Sequence, residues 1–168
     1  MIVINNIKLS KTYTVEELHN GAIENIPSES GLYFVLMPKG FDLTVKDVTD
    51  GRKTTSRGKV SSYPVEDLRK RLLHYGDENE KRNSQILYIG QSVNLHDRIE
   101  QYIGFRYDVP DAGPHDGGRS IWQLENSEQL LFCYYVCRPG EDSEEMERKL
   151  ILLYKARHGC YPFANRKK

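Results

Sequence analysis

Three short apolar runs stand out from a polar background and predict the strands of one sheet. Residues 31–37 are apolar on both faces, which is typical of a central strand. Residues 86–89 form a second strand that ends at Gly90, and residues 130–137 form a third. None of these runs approaches the roughly 20 apolar residues that a membrane-spanning helix needs, so the pattern indicates a globular protein.

Capping signals and helical periodicity predict two helices before the second strand. Thr14 begins a capping-box pattern and Gly21 is a suitable stop, so a short helix is expected at 15–20. Pro64, at a first helical position, and Gly76 bracket a second helix. The apolar stripe of that helix consists of Val65, Leu68, Leu72 and Tyr75.

Three more helices are predicted after the second strand. Asn94 opens a helix whose apolar side is formed by Leu95, Ile99, Tyr102 and Ile103. Ser120 can cap a brief helix that carries the only tryptophan, Trp122. Asp142 begins a further capping pattern for a long helix over 143–158.

Strands interleaved with helices predict a compact α/β or α+β fold. The chain has 168 residues, with no internal repeat or break in composition, so we expect a single domain over 1–168. A hydrophobic fraction of 38% and a charged fraction of 29% fit a folded chain rather than a disordered one. Residues 1–30 are expected to form a helical extension.

Charge and cysteine content narrow the function classes. The chain has 24 basic and 24 acidic residues, which argues against a protein that coats nucleic acid passively but not against an enzyme with a local basic cleft. The N-terminus lacks the features of a signal peptide, so a cytoplasmic location is expected by default.

Three cysteines are an odd number, which argues against structural disulfides. Cys133 and Cys137 would stand about 13 Å apart on a strand, too far to share a zinc ion.

Two charged side chains lie where helical periodicity predicts apolar ones. In the long last helix, Glu147 falls in the same arc as Met146, Leu150, Leu153 and Tyr154. A carboxylate aimed at packed apolar surface is costly unless it is paired or bound to a cation, although a place at the rim of the core would also explain it. Arg98 sits at the edge of the apolar arc of its helix. An arginine in this position can pack its aliphatic stem on apolar neighbours while its guanidinium stays in solvent, so the position alone does not indicate a function.

Together these residues match a known pattern. Gly31-Leu32-Tyr33 and Tyr88-Ile89-Gly90 resemble the two signature tripeptides of the GIY-YIG nucleases, with leucine in place of the usual isoleucine. Residues 91–98 resemble that family's stretch from the second tripeptide to its arginine, which here is Arg98. Residues 147–151 and 162–165 resemble its glutamate helix and terminal asparagine. The resemblance implies a small antiparallel three-stranded sheet flanked by helices.

The resemblance also implies a reaction, the metal-dependent cleavage of DNA. Glu147 would hold one Mg²⁺ or Mn²⁺ ion, and Tyr33 would act as the general base. Tyr88 and Asn165 would position the phosphate or base, and Arg98 would offset the charge that builds on the phosphate. His115, in a turn-rich loop at 108–119, is an additional candidate proton carrier or an idle surface histidine. Two alternatives are a nucleic-acid-binding module without catalysis and a structural protein in which the tyrosines are core residues.

Two departures from the family pattern matter. Tyr33 and Tyr88 are 55 residues apart, whereas the tripeptides normally lie on strands joined by a short turn, so residues 38–85 are interpreted as an insertion into a core of 31–165. Glu147 and Asn165 are 18 residues apart, a long gap that leaves Glu144 and Glu145 as competitors for the metal. The helical arc favours Glu147.

The insertion contains a basic segment without acids. Residues 51–64 hold Arg52, Lys53, Arg57 and Lys59 among glycine, serine and threonine, which keep a chain flexible. The segment is either a solvated loop or, as we hypothesise, an arm that grips DNA phosphates beside the cut site. The sequence leaves open whether the protein is a monomer or a homodimer.

Overall fold

A computed structural model describes residues 3–4, 7–55, 57–73, 75, 85–110 and 118–166. Its centre is a four-stranded antiparallel sheet in the order β3-β6-β4-β5, and a separate two-stranded hairpin lies near the N-terminus. The hairpin consists of β1 (Val3–Ile4) and β2 (Ile7–Lys8). The sheet consists of β3 (Tyr13–Thr14), β4 (Gly31–Leu36), β5 (Ile86–Ser92) and β6 (Leu131–Val136).

Within the described residues, four α-helices and three 3₁₀ helices surround the sheet. The α-helices are α1 (Val15–His19), α2 (Val65–Leu72), α3 (Leu95–Arg106) and α4 (Ser143–His158). The 3₁₀ helices are Ala22–Asn25, Arg119–Gln123 and Ser127–Gln129. The predicted caps of α1, α3 and α4 are confirmed, since the side chains of Thr14, Asn94 and Asp142 each accept a hydrogen bond from a backbone N–H of the first turn.

β4 is the central strand, as its apolar character on both faces predicts, and all six of its residues are buried. Tyr33 pairs with Gly90 on one side and with Tyr134 on the other. Because side chains alternate along a strand, Tyr33 points to one face of the sheet and Phe34 to the other. These two faces carry separate cores.

The larger core lies on the Tyr33 face. In this core, side chains of α1, α2 and α3 pack against the sheet, together with Trp122 and Phe163; Tyr102 of α3 is among them. The smaller core lies on the Phe34 face and is closed by Leu150 and Ile151 of α4. The sheet is therefore covered by helices on both faces.

Much of the region between the two tripeptides is built into the domain. Gln123 is fully buried, and its side-chain amide donates to the carbonyls of Lys46 and Tyr63 and accepts from the N–H of Tyr63. Lys46 in turn donates its backbone N–H to the carbonyl of Gln123. A buried amide with all of these partners fixes Lys46 and Tyr63 against the 3₁₀ helix Arg119–Gln123.

Several sequence-based expectations were wrong in detail. The sheet has four strands rather than three, because Tyr13–Thr14 pairs with β6 at its edge. Residues 1–30 include a hairpin and are not simply a helical extension. β5 continues past Gly90 to Ser92, because its pairing with β4 reaches Gly31. Ser120 does not cap its helix: the N-cap is Gly118, and the buried Ser120 hydroxyl has no hydrogen-bond partner among the described residues. Gly76 lies outside the described residues.

Candidate active site

The antiparallel pairing of β4 with β5 brings the two signature tyrosines together. Tyr33 and Tyr88 point to the same face, with ring centroids 5.8 Å apart and a hydrogen bond between their hydroxyls. Tyr102 of α3 completes a cluster, at 6.2 Å from Tyr33 and 5.8 Å from Tyr88. The hydroxyl of Tyr102 donates to the carbonyl of Gly118 at 2.6 Å. The sequence pattern indicated a place for Tyr102 in the helix stripe but not in the site.

Two glycines allow this cluster to close. A Cβ atom on Gly90 would lie 2.6 Å from the Tyr33 hydroxyl oxygen, so the Tyr33 ring rests on bare backbone. Gly118, at a φ of +70°, lies against the cluster from the other side, where a Cβ would meet the Tyr102 hydroxyl and the Tyr88 ring. The glycine of the second tripeptide is thus required by the tyrosine of the first.

Burial dominates the protonation of the tyrosine pair. Tyr33 is 1% exposed and Tyr88 is 8% exposed. Burial raises the pKa of Tyr33 well above its usual value, and neighbouring Tyr88 and Tyr102 raise it further. Burial also raises the pKa of Tyr88. The positive charge of half-buried Arg98 lowers the pKa of both hydroxyls without reversing either shift, so both are neutral near pH 7 in this conformation.

The predicted buried carboxylate on the last helix is confirmed. Glu147 is 5% exposed, whereas Glu144 and Glu145 are exposed at the start of the same helix. Glu147 shares a helix side with Leu150 and Ile151, which pack on the sheet face opposite to Tyr33. The glutamate helix and the tyrosine pair therefore approach the sheet from opposite faces, and α4 lies alongside β5, the edge strand that carries Tyr88.

Neutral oxygen atoms line the start of α4. The hydroxyl of Ser143, one turn before Glu147, donates to Gln91 Oε1 of β5 at 3.2 Å and accepts from the hydroxyl of Ser30 at 3.2 Å. Within the described residues, no group of three or more His, Cys, Asp or Glu side chains is placed to hold a metal ion. Any ion bound through Glu147 would have to complete its coordination with other oxygen ligands.

Asn165 has a clear structural partner. Its side-chain amide accepts from the N–H of Ile89 at 3.0 Å and donates to the carbonyl of Ile89 at 2.7 Å. Ala164 adds a backbone bond to the carbonyl of Leu87. These bonds cover the outer edge of β5 and place Asn165 beside the residue that follows Tyr88.

The four basic residues proposed to bind DNA differ in their surroundings. Arg52 donates to the carbonyl of Val109 at 2.9 Å, and Lys53 donates to the carbonyl of Thr49 at 2.6 Å. Arg57 and Lys59 are exposed on a turn held by the Thr55 hydroxyl, which accepts both of their backbone N–H groups. Among the described residues of the segment, Arg52 and Lys53 therefore bond to backbone carbonyls, whereas the side chains of Arg57 and Lys59 remain exposed.

His115 lies outside the described residues. A comparison with protein-family models, well-characterised proteins and solved structures finds no match to this chain. Among the described residues, no helix combines the length and apolarity needed to cross a membrane. The function is therefore inferred from the residues themselves.

Proposed function

We propose that this protein is an endonuclease that hydrolyses DNA phosphodiester bonds with one Mg²⁺ or Mn²⁺ ion. The main support is that Tyr33 lies beside Tyr88, which follows it 55 residues later in the sequence, and within the influence of Arg98. Tyr33 and Tyr88 share a hydrogen bond, and the charge of Arg98 acts on both hydroxyls. The pairing of Tyr33 with Gly90 sets the two GIY-YIG-like tripeptides side by side on neighbouring strands, which supports a shared site.

In this proposal Arg98 stabilises the negative charge that develops on the phosphate, because its forked donors suit phosphate oxygens. The same positive charge favours the tyrosinate form of a neighbouring hydroxyl, as a general base requires. Since Tyr33 is almost completely buried, the reaction also requires a conformation in which water and phosphate reach the pair. Tyr88 is the more accessible of the two hydroxyl-bearing residues.

The donor set fits a hard dication. Mg²⁺ is commonly held by one or two carboxylates, with water and substrate phosphates as its remaining ligands. Glu147 supplies one carboxylate, and nearby oxygens of Ser143 and Gln91 are of the same hard type. Such an ion, when bound, would polarise the phosphate and stabilise the leaving oxygen. Because α4 and the tyrosine pair lie on opposite faces of the sheet, the phosphate would have to bridge them around the edge strand β5.

The second candidate function is a nucleic-acid-binding module without catalysis. The observation that favours it is the burial of Tyr33, whose raised pKa keeps the hydroxyl neutral. A module of this kind needs neither an ionised tyrosine nor a buried carboxylate. Cleavage assays separate the two candidates.

The test is the nicking of supercoiled plasmid in Mg²⁺, in Mn²⁺ and in EDTA. We expect nicking by the wild-type protein in either metal and none in EDTA. Glu147→Gln should abolish it, because an amide oxygen is a poor ligand for a hard dication. Glu144→Gln and Glu145→Gln, which change exposed carboxylates of the same helix, are matched controls and should retain activity.

Variants of the tyrosine and arginine then test the chemistry. Tyr33→Phe and Arg98→Ala should each lower the single-turnover rate by about 10²-fold or more while DNA binding persists. A wild-type rate for Glu147→Gln together with loss of activity in a control variant would reassign the metal ligand. Absence of any metal-dependent nicking, with DNA binding retained, would favour the binding module.

A further inference from the structure

Two arginines stack on one tyrosine ring beside the candidate site. The guanidinium carbon of Arg166 lies 3.7 Å from the ring centroid of Tyr63, and that of Arg119 lies 4.4 Å from it. These three residues come from the C-terminal segment, a 3₁₀ helix and the segment before α2. Stacking on an aromatic face holds a guanidinium in a fixed plane.

A third arginine supports this arrangement. Arg71 of α2 donates from Nε to the carbonyl of Phe163 at 2.7 Å and from Nη2 to the carbonyls of Pro162 and Asn165 at 3.1 and 2.9 Å. These acceptors are neutral, so the bonds position the C-terminal segment without cancelling the charge of Arg71. Burial lowers the pKa of Arg71 from its usual value, and the charge of Arg166 lowers it further.

One N–H donor group of the Arg166 guanidinium makes no hydrogen bond to the described residues. Its Nη1 atom is buried and has no hydrogen-bond partner among the described residues. Leaving a charged N–H group without a partner is costly, and a phosphate oxygen is a strong acceptor for it. Because the face of the guanidinium is stacked on Tyr63, the in-plane N–H groups are the part left to bind an anion.

The cluster adjoins Tyr88 at two points. Arg119 directly follows Gly118, which packs against the Tyr88 ring. Arg166 directly follows Asn165, whose amide binds Ile89, the residue after Tyr88. Since consecutive Cα atoms are about 3.8 Å apart, both arginines stand one residue away from contacts that flank Tyr88.

We propose that Arg119 and Arg166, stacked on Tyr63, bind a backbone phosphate of nucleic acid next to the bond that would be cut. The choice of nucleic acid as the source of the phosphate rests on the proposed nuclease function. Arg71 is a positioning residue that holds the segment carrying Arg166. The net charge of the chain is zero, so this cluster would supply positive charge locally where the DNA backbone binds.

The test measures binding of a fluorescent DNA duplex by anisotropy across a salt series, in EDTA so that cleavage plays no part. The double variant Arg119→Gln, Arg166→Gln should flatten the slope of log affinity against log salt by about 0.9 for each phosphate that it no longer neutralises. Arg157→Gln, which removes an exposed charge on α4, is the control and should leave the slope within error. Arg166→Lys keeps the charge without the fork and should lie between wild type and Arg166→Gln.

Thermal melting of each variant shows whether it is folded. A folded double variant with wild-type affinity and salt slope would overturn the proposal. The source of the phosphate is tested by melting the wild type in inorganic phosphate and in chloride at equal ionic strength. Stabilisation by inorganic phosphate that disappears in the double variant, with duplex binding unchanged, would assign a small-phosphate site and overturn the nucleic-acid proposal. Arginine-dependent duplex binding without metal-dependent nicking would uphold this site while refuting the nuclease function.

Discussion

Replacing Gly90 with alanine adds a methyl group that would clash with the ring of Tyr33. An added Cβ would lie 2.6 Å from both Cε1 and the hydroxyl oxygen of that ring, whereas carbon atoms in contact are normally about 3.5–4.0 Å apart. The ring has little room to retreat, because Tyr33 is 1% exposed and is flanked by Tyr88 and Tyr102. Forcing a methyl group into a packed core costs about 1–3 kcal/mol of unfolding free energy.

A double-mutant cycle isolates this contact. Tyr33→Ala alone removes a buried aromatic side chain and should cost about 3–5 kcal/mol, as large-to-small core substitutions do. In that background the methyl group of Gly90→Ala enters space vacated by the ring, so its own cost should largely disappear. The expected coupling between the two substitutions is therefore about 1–3 kcal/mol, well above the roughly 0.5 kcal/mol expected of independent sites.

The assay is urea unfolding of the four proteins followed by tryptophan fluorescence. Trp122 is the only tryptophan, is fully buried and lies 4.7 Å from the Tyr102 ring, so it reports on this core. Additive free energies in the cycle would refute the reasoning that Gly90 is a glycine because of Tyr33. A Gly90→Ala protein as stable as wild type would refute it as well.

Two further predictions concern buried tyrosine hydroxyls. Tyr75→Phe should cost about 1–3 kcal/mol, because this buried hydroxyl donates to the carbonyl of Ile86 and accepts from the N–H of Phe163, and the substitution removes both bonds. Tyr161→Phe, whose hydroxyl makes an exposed bond, should stay within about 0.5 kcal/mol in the same urea assay. Equal costs for the two variants would contradict the assignment. Burial raises the pKa of Tyr33, Tyr75 and Tyr102 well above their usual value. Above pH 10 the unfolded chain therefore loses these protons while the folded chain keeps them, so the free energy of unfolding should fall as pH rises. The three together should contribute a loss of about 4 kcal/mol per pH unit, and urea midpoints that hold steady up to pH 11 would show that these hydroxyls ionise in the folded state.

The sequence predicted those features that depend on neighbouring residues. Helix α4 begins after Asp142 and ends before Gly159 because capping acts within one turn. The burial of Glu147 was predictable because helical periodicity places it in an apolar arc. The edge strand Tyr13–Thr14 was not, since it has two residues and Thr14 also caps α1.

Contacts between distant segments could not be predicted from local pattern. Asn165 was assigned a role toward DNA, but its partner in the structure is Ile89, 76 residues away in sequence. The stacking of Arg119 and Arg166 on Tyr63 joins three segments whose order along the chain gives no sign of their meeting. The basic segment at 51–64 has the composition of a linker, which does not predict that the Thr55 hydroxyl accepts the backbone N–H groups of Arg57 and Lys59.

The cover over the outer edge of β5 has a consequence for synthesis on the ribosome. β4 cannot complete its pairing until β6 emerges about 100 residues later, and the outer edge of β5 stays open until residues 164 and 165 follow. During translation the nascent chain therefore exposes a long apolar strand with unpaired backbone groups, a state prone to intermolecular pairing. Protection of this edge is acquired late in synthesis, once residues 164 and 165 are available to bond to Leu87 and Ile89.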